Sequence, residues 1–183
     1  MTLVYFDTET TGLDPTQDKI LTIQYQRLDI TKGYPVGPLK ILKIWDEGQS
    51  EKNIVSAAAS LLIESNPWRF VPVGNNLTFD FKFISAKIKQ HLGLDVDTLF
   101  FLNRPHIDLK HVMILLNGGR FKGYHNILGK HESGDKIPEW YSARDYDKIT
   151  EYVKNEAKSF TKLYSKLQQS LPTLFYRRLD DYV

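Results

Sequence analysis

The sequence predicts a mixed α/β domain over residues 1–183, in which a sheet of antiparallel and parallel strands is flanked by helices. Strand-like runs joined by short turns fill residues 2–45, which favours three antiparallel strands. Amphipathic helical patterns then alternate with a short apolar run, as in sheets that also contain parallel strands. Because no Pro/Gly/Ser-rich linker divides the chain, a single domain is expected.

The composition is that of an ordinary globular domain and does not indicate a particular binding partner. The 183 residues are 42% hydrophobic and 13% aromatic, which is enough for one sizeable core. The 24 Lys and Arg residues nearly balance 22 Asp and Glu, and a net charge of +2 does not by itself indicate nucleic-acid binding. The absence of cysteine excludes disulfides and thiolate metal sites. With no signal-like or membrane-spanning run in the sequence, we expect a cytoplasmic protein.

Four strands are predicted from local composition. Residues 2–6 are β-branched and aromatic, which is typical of a buried strand. Residues 20–29 alternate loosely, and residues 39–45 form a third run after a loop rich in Gly and Pro. Residues 70–73 follow a helical segment, so a fourth strand there is expected to lie parallel to the first.

Helical periodicity accounts for most of the remainder. Helices are predicted at residues 50–62, 78–92, 108–116 and 124–128. A polar loop is predicted over residues 130–138, before a long amphipathic helix at about residues 143–169. Ser142 and Asp145 resemble a capping box at the start of that helix, and Pro172 is expected to lie beyond its end.

Two carboxylates end the first predicted strand. Side chains two residues apart in an extended chain share a face, so Asp7 and Glu9 are expected to converge. Like charges repel each other, and burial raises the cost of each ion. A divalent metal that prefers oxygen ligands, such as Mg²⁺ or Mn²⁺, would neutralise the pair. The plain structural alternative is a solvated pair at the point where a strand runs into a turn.

The string that contains this pair matches a known motif. Residues 6–13 read Phe-Asp-Thr-Glu-Thr-Thr-Gly-Leu. This string resembles the first motif of the DEDD superfamily of 3′–5′ exonucleases, which are proofreading-type nucleases with a ribonuclease H-like fold. The resemblance implies a ribonuclease H-like sheet. It also implies a metal-dependent enzyme that removes nucleoside monophosphates from the 3′ ends of single-stranded nucleic acid.

A second motif follows the fourth predicted strand. The superfamily carries an Asn ahead of a Phe-Asp pair, and Asn76, Phe79 and Asp80 occupy those positions. In isolation, either Asn76 or Thr78 reads as a helix N-cap and Asp80 as a first-turn acid that favours the helix dipole. Paired with the first motif, metal binding by Asp80 is the better interpretation.

The last acidic ligand departs from the superfamily pattern. Members carry a late Asp with a His five residues before it or a Tyr four before it, and no His here has that spacing. Tyr141 and Asp145 fit the Tyr spacing literally, whereas Tyr152 and Glu156 lie within the closing helix with Glu in place of Asp. Residues at i and i+4 share one helix face. We therefore favour Tyr152 and Glu156, with Asp145 as the fallback and a purely structural Tyr152 as the remaining alternative.

The resemblance assigns a role to each of these residues. Asp7 would bridge two metal ions, Glu9 and Glu156 would complete the first site, and Asp80 would hold the second. Tyr152 would orient the attacking water. The implied cofactor is two Mg²⁺ or Mn²⁺ ions, whose charge would supply most of the acidity because a phenol with a pKa near ~10 is a poor base.

The same resemblance implies a substrate-binding set: Thr8, Thr10, Thr11, Leu13, Asn76 and Phe79. Backbone groups of the three threonines would hold the terminal 3′ hydroxyl, and the leucine would wedge beside the last base. The expected partner is a single-stranded DNA or RNA 3′ end, within replication, repair or RNA processing. A nuclease-fold binding or accessory subunit with weakened catalysis, suggested by the Glu at position 156, is the alternative. The sequence leaves the choice of DNA or RNA and the oligomeric state open.

Overall fold

The computed structural model describes residues 1–120 and 134–180, with side chains described as far as residue 170. Five strands form one sheet in this part of the chain: β1 Leu3–Thr10, β2 Ile20–Leu28, β3 Lys40–Lys43, β4 Val71–Gly74 and β5 Ile107–Asp108. The strand order is β3-β2-β1-β4-β5. Strands β1 to β3 pair antiparallel, whereas β4 lies parallel to β1 and β5 parallel to β4. The predicted mixed α/β sheet is confirmed.

Helices cover the sheet. They are α1 Glu51–Leu62, α2 Leu77–Leu92, α3 Thr98–Leu102, α4 Leu109–Leu116, α5 Ile137–Ser142 and α6 Tyr146–Asp180, with 3₁₀ turns at Pro67–Arg69 and Gly134–Lys136. Ser50, at the start of the predicted helix, caps α1, because its side chain accepts a hydrogen bond from the Asn53 amide. Among the described residues, no helix combines the length and the apolar character needed to cross a membrane.

Strand β1 is longer than predicted, and β5 was missed. The backbone of residues 7–10 continues to pair with β2 although its side chains are polar, up to an irregularity between Glu9 and Thr10. Side-chain character therefore marked the end of the apolar run and not the end of the hydrogen-bonded ladder. Strand β5 has two residues, which is too short to show any periodicity.

The sequence before the last helix differs from prediction. Within the predicted loop, the described residues form a 3₁₀ turn from Gly134, and α5 begins at Ile137 with Pro138 in its first turn, where the missing N–H costs nothing. Ser142 belongs to α5, so the predicted capping box is wrong. Helix α6 also continues through Pro172, since proline removes one hydrogen bond and bends a helix without always ending it. The helix predicted at 124–128 lies outside the described residues.

Alternation along β1 decides where the carboxylates lie. On one face of the sheet, Phe6 packs with apolar residues of α1 and α2. On the other, Tyr5 packs with residues of α4 and α6, and its ring centroid lies 4.9 Å from that of Phe160. Because successive strand residues alternate between faces, Asp7 and Glu9 share the face of Tyr5 and lie toward α6.

Candidate active site

A cavity of about 350 Å³ opens where β1 ends, between the β4–α2 connection and helix α6. The described residues that line it are Tyr5, Asp7, Glu9, Leu13, Asn75, Asn76, Phe79, Gly134, Asp135, Tyr152, Glu156 and Phe160. Four of these side chains are carboxylates, and none of the twelve is Lys, Arg or His. The cavity therefore gathers negative charge from residues far apart in the sequence, with no basic side chain in its described lining.

Asp80 lies behind this cavity and not in its lining. Its side chain is 3% exposed, and Thr8 Oγ1 donates a hydrogen bond to Asp80 Oδ1 at 2.7 Å. Burial raises the pKa of Asp80 well above the ordinary 3.8, and the negative charge of Asp7 raises it further. Asp80 is therefore close enough to Asp7 for the charge of Asp7 to raise its pKa, as expected if both acids serve one site.

The Asp7 carboxylate is held by neighbours on the two antiparallel strands. Gln24 Nε2 donates to Asp7 Oδ2 at 2.8 Å, and the Tyr5 hydroxyl donates to the same oxygen at 3.2 Å. Gln24 Oε1 in turn accepts a hydrogen bond from Thr22 Oγ1 at 3.0 Å. Asp7 therefore enters the cavity with one of its oxygens fixed by two neutral donors.

Tyr152 and Glu156 meet the other carboxylates from α6. Burial raises the pKa of Tyr152 well above its ordinary value of 10, and the negative charges of Glu9, Glu156 and Asp7 and a hydrogen bond with Glu156 raise it further. The phenol therefore stays protonated at neutral pH. Gly134 lies against this corner of the cavity, where a Cβ would make ordinary van der Waals contacts at 3.4 Å from the Tyr152 hydroxyl and 3.7 Å from Glu9 Oε2.

The alternative pair of Tyr141 and Asp145 is not brought to the cavity. Asp145 lies just before α6 and forms an ion pair with Lys148 in the first turn of that helix. The Tyr141 ring packs against Trp45 and Tyr146. Of the two Tyr-acid pairs that the sequence offered, the structure places only Tyr152 and Glu156 beside Asp7 and Glu9.

The predicted substrate-binding residues divide into two groups. Leu13, Asn76 and Phe79 line the cavity, and Leu13 is 83% exposed at its rim. Thr8, Thr10 and Thr11 are not among the described lining residues.

Three of the predicted substrate-binding residues, Thr10, Thr11 and Asn76, form hydrogen bonds within the folded chain. The Thr10 hydroxyl donates to the Gly12 carbonyl at 2.6 Å, and the Thr11 amide donates to the Lys19 carbonyl at 2.9 Å. Asn76 Oδ1 accepts a hydrogen bond from Lys110 Nζ at 2.9 Å.

Sequence reasoning missed four polar residues that shape the site. Asp135 was expected at the surface of a polar loop, but it lines the cavity. Asn75 also lines it, and its buried Oδ1 has no hydrogen-bond partner in the described part of the chain. Asp108 fixes the β4–α2 turn by accepting hydrogen bonds from the amides of residues 76 and 77 at 2.8 and 2.9 Å. Gln24 lies between Ile23 and Tyr25 in a predicted strand, and a glutamine between two apolar residues was a usable signal. The places of Asn75, Asp108 and Asp135 depend on how distant parts of the chain pack together.

The donor chemistry of the site fits divalent cations that prefer oxygen. Asp7 and Asp80 are close enough to raise a carboxyl pKa, and further carboxylates line the same cavity. In residues 1–120 and 134–170, however, no three His, Cys, Asp or Glu side chains are spaced as a metal-holding cluster. The residue types, all oxygen donors, therefore suit Mg²⁺ or Mn²⁺.

The raised pKa of Asp80 predicts how the stability of the metal-free protein depends on pH. The folded state holds this proton to higher pH than the unfolded chain, so the free energy of unfolding falls as pH rises from about 3.8 through the raised pKa. Asp80→Asn keeps an acceptor for Thr8 and removes the charge. We expect the variant to show a smaller loss of thermal stability between pH 5 and pH 8 than the wild type, measured without divalent metal. The same pH dependence in both proteins would contradict this.

Comparisons with known proteins agree with this architecture. A sequence model of the RNase H superfamily matches residues 4–168. No curated protein matches the sequence. E. coli exonuclease I in complex with a dT13 oligonucleotide superimposes with a TM-score of 0.64 at 14% identity, covering 96% of this chain and 43% of that one. Apo exonuclease I gives a TM-score of 0.52 at 17% identity, covering 67% of this chain and 32% of that one. The chain spans less than half the length of these proteins. The family match over residues 4–168 and the mixed sheet confirm the predicted ribonuclease H-like fold.

Proposed function

The chain belongs to the RNase H superfamily, and from this premise we propose that residues 1–183 form one metal-dependent 3′–5′ exonuclease domain acting on single-stranded nucleic acid. The observation that carries the proposal is the meeting of Asp7, Glu9 and Glu156, from opposite ends of the chain, in one cavity beside Asp80. The first motif, which resembles that of DEDD exonucleases, supports the direction of hydrolysis. The similar fold of exonuclease I, which was solved with a dT13 oligonucleotide, supports a single-stranded substrate.

Asp7, Glu9, Asp80 and Glu156 would hold two Mg²⁺ or Mn²⁺ ions. When bound, such ions lower the pKa of water and offset charge on the leaving oxygen of a phosphodiester. The carboxylates would bring the charge that holds these cations, and the lining residues within 1–120 and 134–170 offer no basic side chain to a phosphate. This division of roles predicts that the phosphate is recognised poorly without divalent metal.

Tyr152 orients the attacking water and does not act as a base. Its raised pKa keeps the phenol protonated, and its hydrogen bond with Glu156 fixes the ring on the α6 side of the cavity. A neutral phenol can still accept a hydrogen bond from water while it donates one to an acid. This is the role that the resemblance to the Tyr branch of the superfamily implies, with Glu156 in place of the usual Asp.

The cavity rim supplies apolar contacts for the terminal nucleotide. Leu13 is largely exposed there, and the half-buried aromatic ring of Phe79 lines the same cavity. Stacking on an aromatic ring is tolerant of base identity, which suits an enzyme that removes nucleotides in succession. Backbone groups of Thr8, Thr10 and Thr11 remain the proposed contacts of the terminal 3′ hydroxyl, apart from the Thr11 amide, which donates to the Lys19 carbonyl. The proposed partner is therefore a DNA or RNA 3′ end.

A nuclease assay tests the proposal directly. Oligonucleotides of DNA and RNA labelled at the 3′ end are incubated with Mg²⁺ or Mn²⁺, beside a closed circular single strand of the same sequence. We expect the label to leave as a nucleoside monophosphate and the circle to stay intact. Cleavage of the circle would instead indicate an endonuclease, and release that begins at the 5′ end would overturn the proposed direction.

The second candidate function is a nucleic-acid-binding or accessory subunit with weakened catalysis. Glu156 carries one more methylene than the usual Asp, and no described trio of acids is spaced as a metal cluster. A nucleic-acid-binding or accessory subunit with weakened catalysis would have these features. Oligonucleotide binding without nucleotide release, even with Mn²⁺ present, would favour this second candidate.

A further inference from the structure

A short row of polar side chains runs along β2 beside the carboxylates of β1. In the antiparallel register Gln24 is the partner of Asp7, and Thr22 is the partner of Glu9. Cross-strand partners present their side chains on the same face of the sheet. Both Thr22 and Gln24 are completely buried, at 0% exposure. Buried polar groups cost free energy unless they are hydrogen-bonded, so the contacts of Gln24 account for a glutamine in the buried part of β2.

Hydrogen-bond chemistry fixes the orientation of the Gln24 amide. An ionised carboxylate can only accept, so the amide nitrogen must face Asp7, where Nε2 lies 2.8 Å from Oδ2. The amide oxygen then faces Thr22, whose hydroxyl donates to it at 3.0 Å. Thr22, Gln24 and Asp7 thus form a chain of hydrogen bonds with one direction. The Tyr5 hydroxyl adds a second neutral donor on the same Asp7 oxygen at 3.2 Å.

We propose that Gln24 is a positioning residue, which holds the Asp7 carboxylate in one orientation from the neighbouring strand. This inference rests on the proposed function, in which Asp7 is a metal ligand. A neutral amide suits the task because it stabilises the orientation of the carboxylate without cancelling its charge. A Lys or Arg at this position would pair with Asp7 and compete with a cation for it. Hydrogen-bonded partners that orient a ligand typically change metal affinity or activity by about 10–100-fold when removed.

The test compares Gln24→Met with Gln26→Met. Both changes replace a glutamine by an unbranched apolar side chain of similar length on the same strand and face. Gln26 is a matched control because its Nε2 donates to the carbonyl of Gly37 in an exposed loop, and not to a carboxylate. Each variant is made with Asp7 present and in an Asp7→Ala background, which gives a double-mutant cycle.

Thermal unfolding without divalent metal decides whether Gln24 holds Asp7. With Asp7 present, we expect Gln24→Met to lower the unfolding midpoint by about 5 °C, since it removes a hydrogen bond to a charged group. In the Asp7→Ala background we expect a clearly smaller fall, because the buried Thr22 hydroxyl still loses its acceptor but no carboxylate needs a donor. Gln26→Met should shift the midpoint equally in both backgrounds. Equal shifts for Gln24→Met in the two backgrounds would overturn the inference.

Nucleotide release supplies the second readout. We expect Gln24→Met to lower kcat about 10–100-fold with KM changed less than about threefold, and Gln26→Met to leave both within about twofold. An unchanged kcat in Gln24→Met would overturn the positioning role. If the wild type released no nucleotide, the proposed function would fail, whereas the thermal cycle would still decide whether Gln24 fixes the Asp7 carboxylate.

Discussion

Replacing Asp7 with asparagine is expected to reduce nucleotide release from a 3′-labelled oligonucleotide by about a thousandfold or more, because residues that act as one catalytic unit fail together. Asp7 lines the cavity, interacts electrostatically with Asp80 and accepts a hydrogen bond from Gln24 on β2. Asparagine has almost the same shape, but it carries no charge to hold a cation. The measurement is the initial rate of monophosphate release with Mg²⁺ and with Mn²⁺.

The control for this variant is a second neutralised aspartate. Asp95 lies on the surface, where its carboxylate pairs with Lys89 at 3.0 Å, and exposed pairs of this kind contribute little to stability. Asp95→Asn should therefore retain the wild-type rate within about twofold. Asp7→Asn should also unfold at a midpoint no lower than about that of the metal-free wild type, since it relieves repulsion with Asp80. Activity in Asp7→Asn close to that of Asp95→Asn would contradict the assignment.

Replacing Glu156 with glutamine is expected to reduce nucleotide release by about a hundredfold or more. Glu156 is the acid that α6 contributes to the cavity, and it is hydrogen-bonded with Tyr152. Glutamine keeps the length of the side chain and removes its charge. The effect should be greater on kcat than on KM if Glu156 helps to hold a metal ion that acts on the reacting phosphate.

The matched control is Asp145→Asn, since Asp145 is the other acid that the sequence allows at this position. Its carboxylate pairs with Lys148 and does not line the cavity. We expect its initial rate to lie within about twofold of the wild type, with a small change in stability at most. A large loss in Asp145→Asn together with an unaffected Glu156→Gln would reverse the choice between the two acids.

The fold was predictable where local patterns carried the information. The apolar runs and helical periodicity located four strands and α1, α2 and α4 within a few residues. The end of β1 was not predictable, because the backbone ladder of residues 7–10 depends on pairing with β2 and not on side-chain character. Strand β5 exists only because its two residues lie beside β4.

The site was partly predictable for a related physical reason. Period-two spacing placed Asp7 and Glu9 on one face, and the i, i+4 spacing on a helix paired Tyr152 with Glu156. These rules act within one element. The sequence already favoured Glu156 over Asp145, whereas the position of each acid relative to the cavity depends on the packing of α6 against the sheet.

The hydrogen bonds that hold Asp80 and Asp7 from neighbouring strands and helices could not be predicted from the sequence. The burial of Asp80 behind the cavity and the hydrogen bond that it accepts from Thr8 both depend on how α2 packs against β1. The hydrogen bond from Gln24 to Asp7 depends on the strand register. Spacing rules predict which side chains share a face, whereas these burials and hydrogen bonds depend on packing between different strands and helices.

Calorimetric titration of the metal-free protein with Mn²⁺ tests most directly whether the gathered carboxylates form a cation site. We expect saturable binding by the wild type, accompanied by a higher midpoint of thermal unfolding, since a ligand that binds only the folded state stabilises it. Asp7→Asn should lose most of this binding, while Asp95→Asn should retain it. Absence of saturable binding by the wild type, or equal binding by the wild type and Asp7→Asn, would contradict the account.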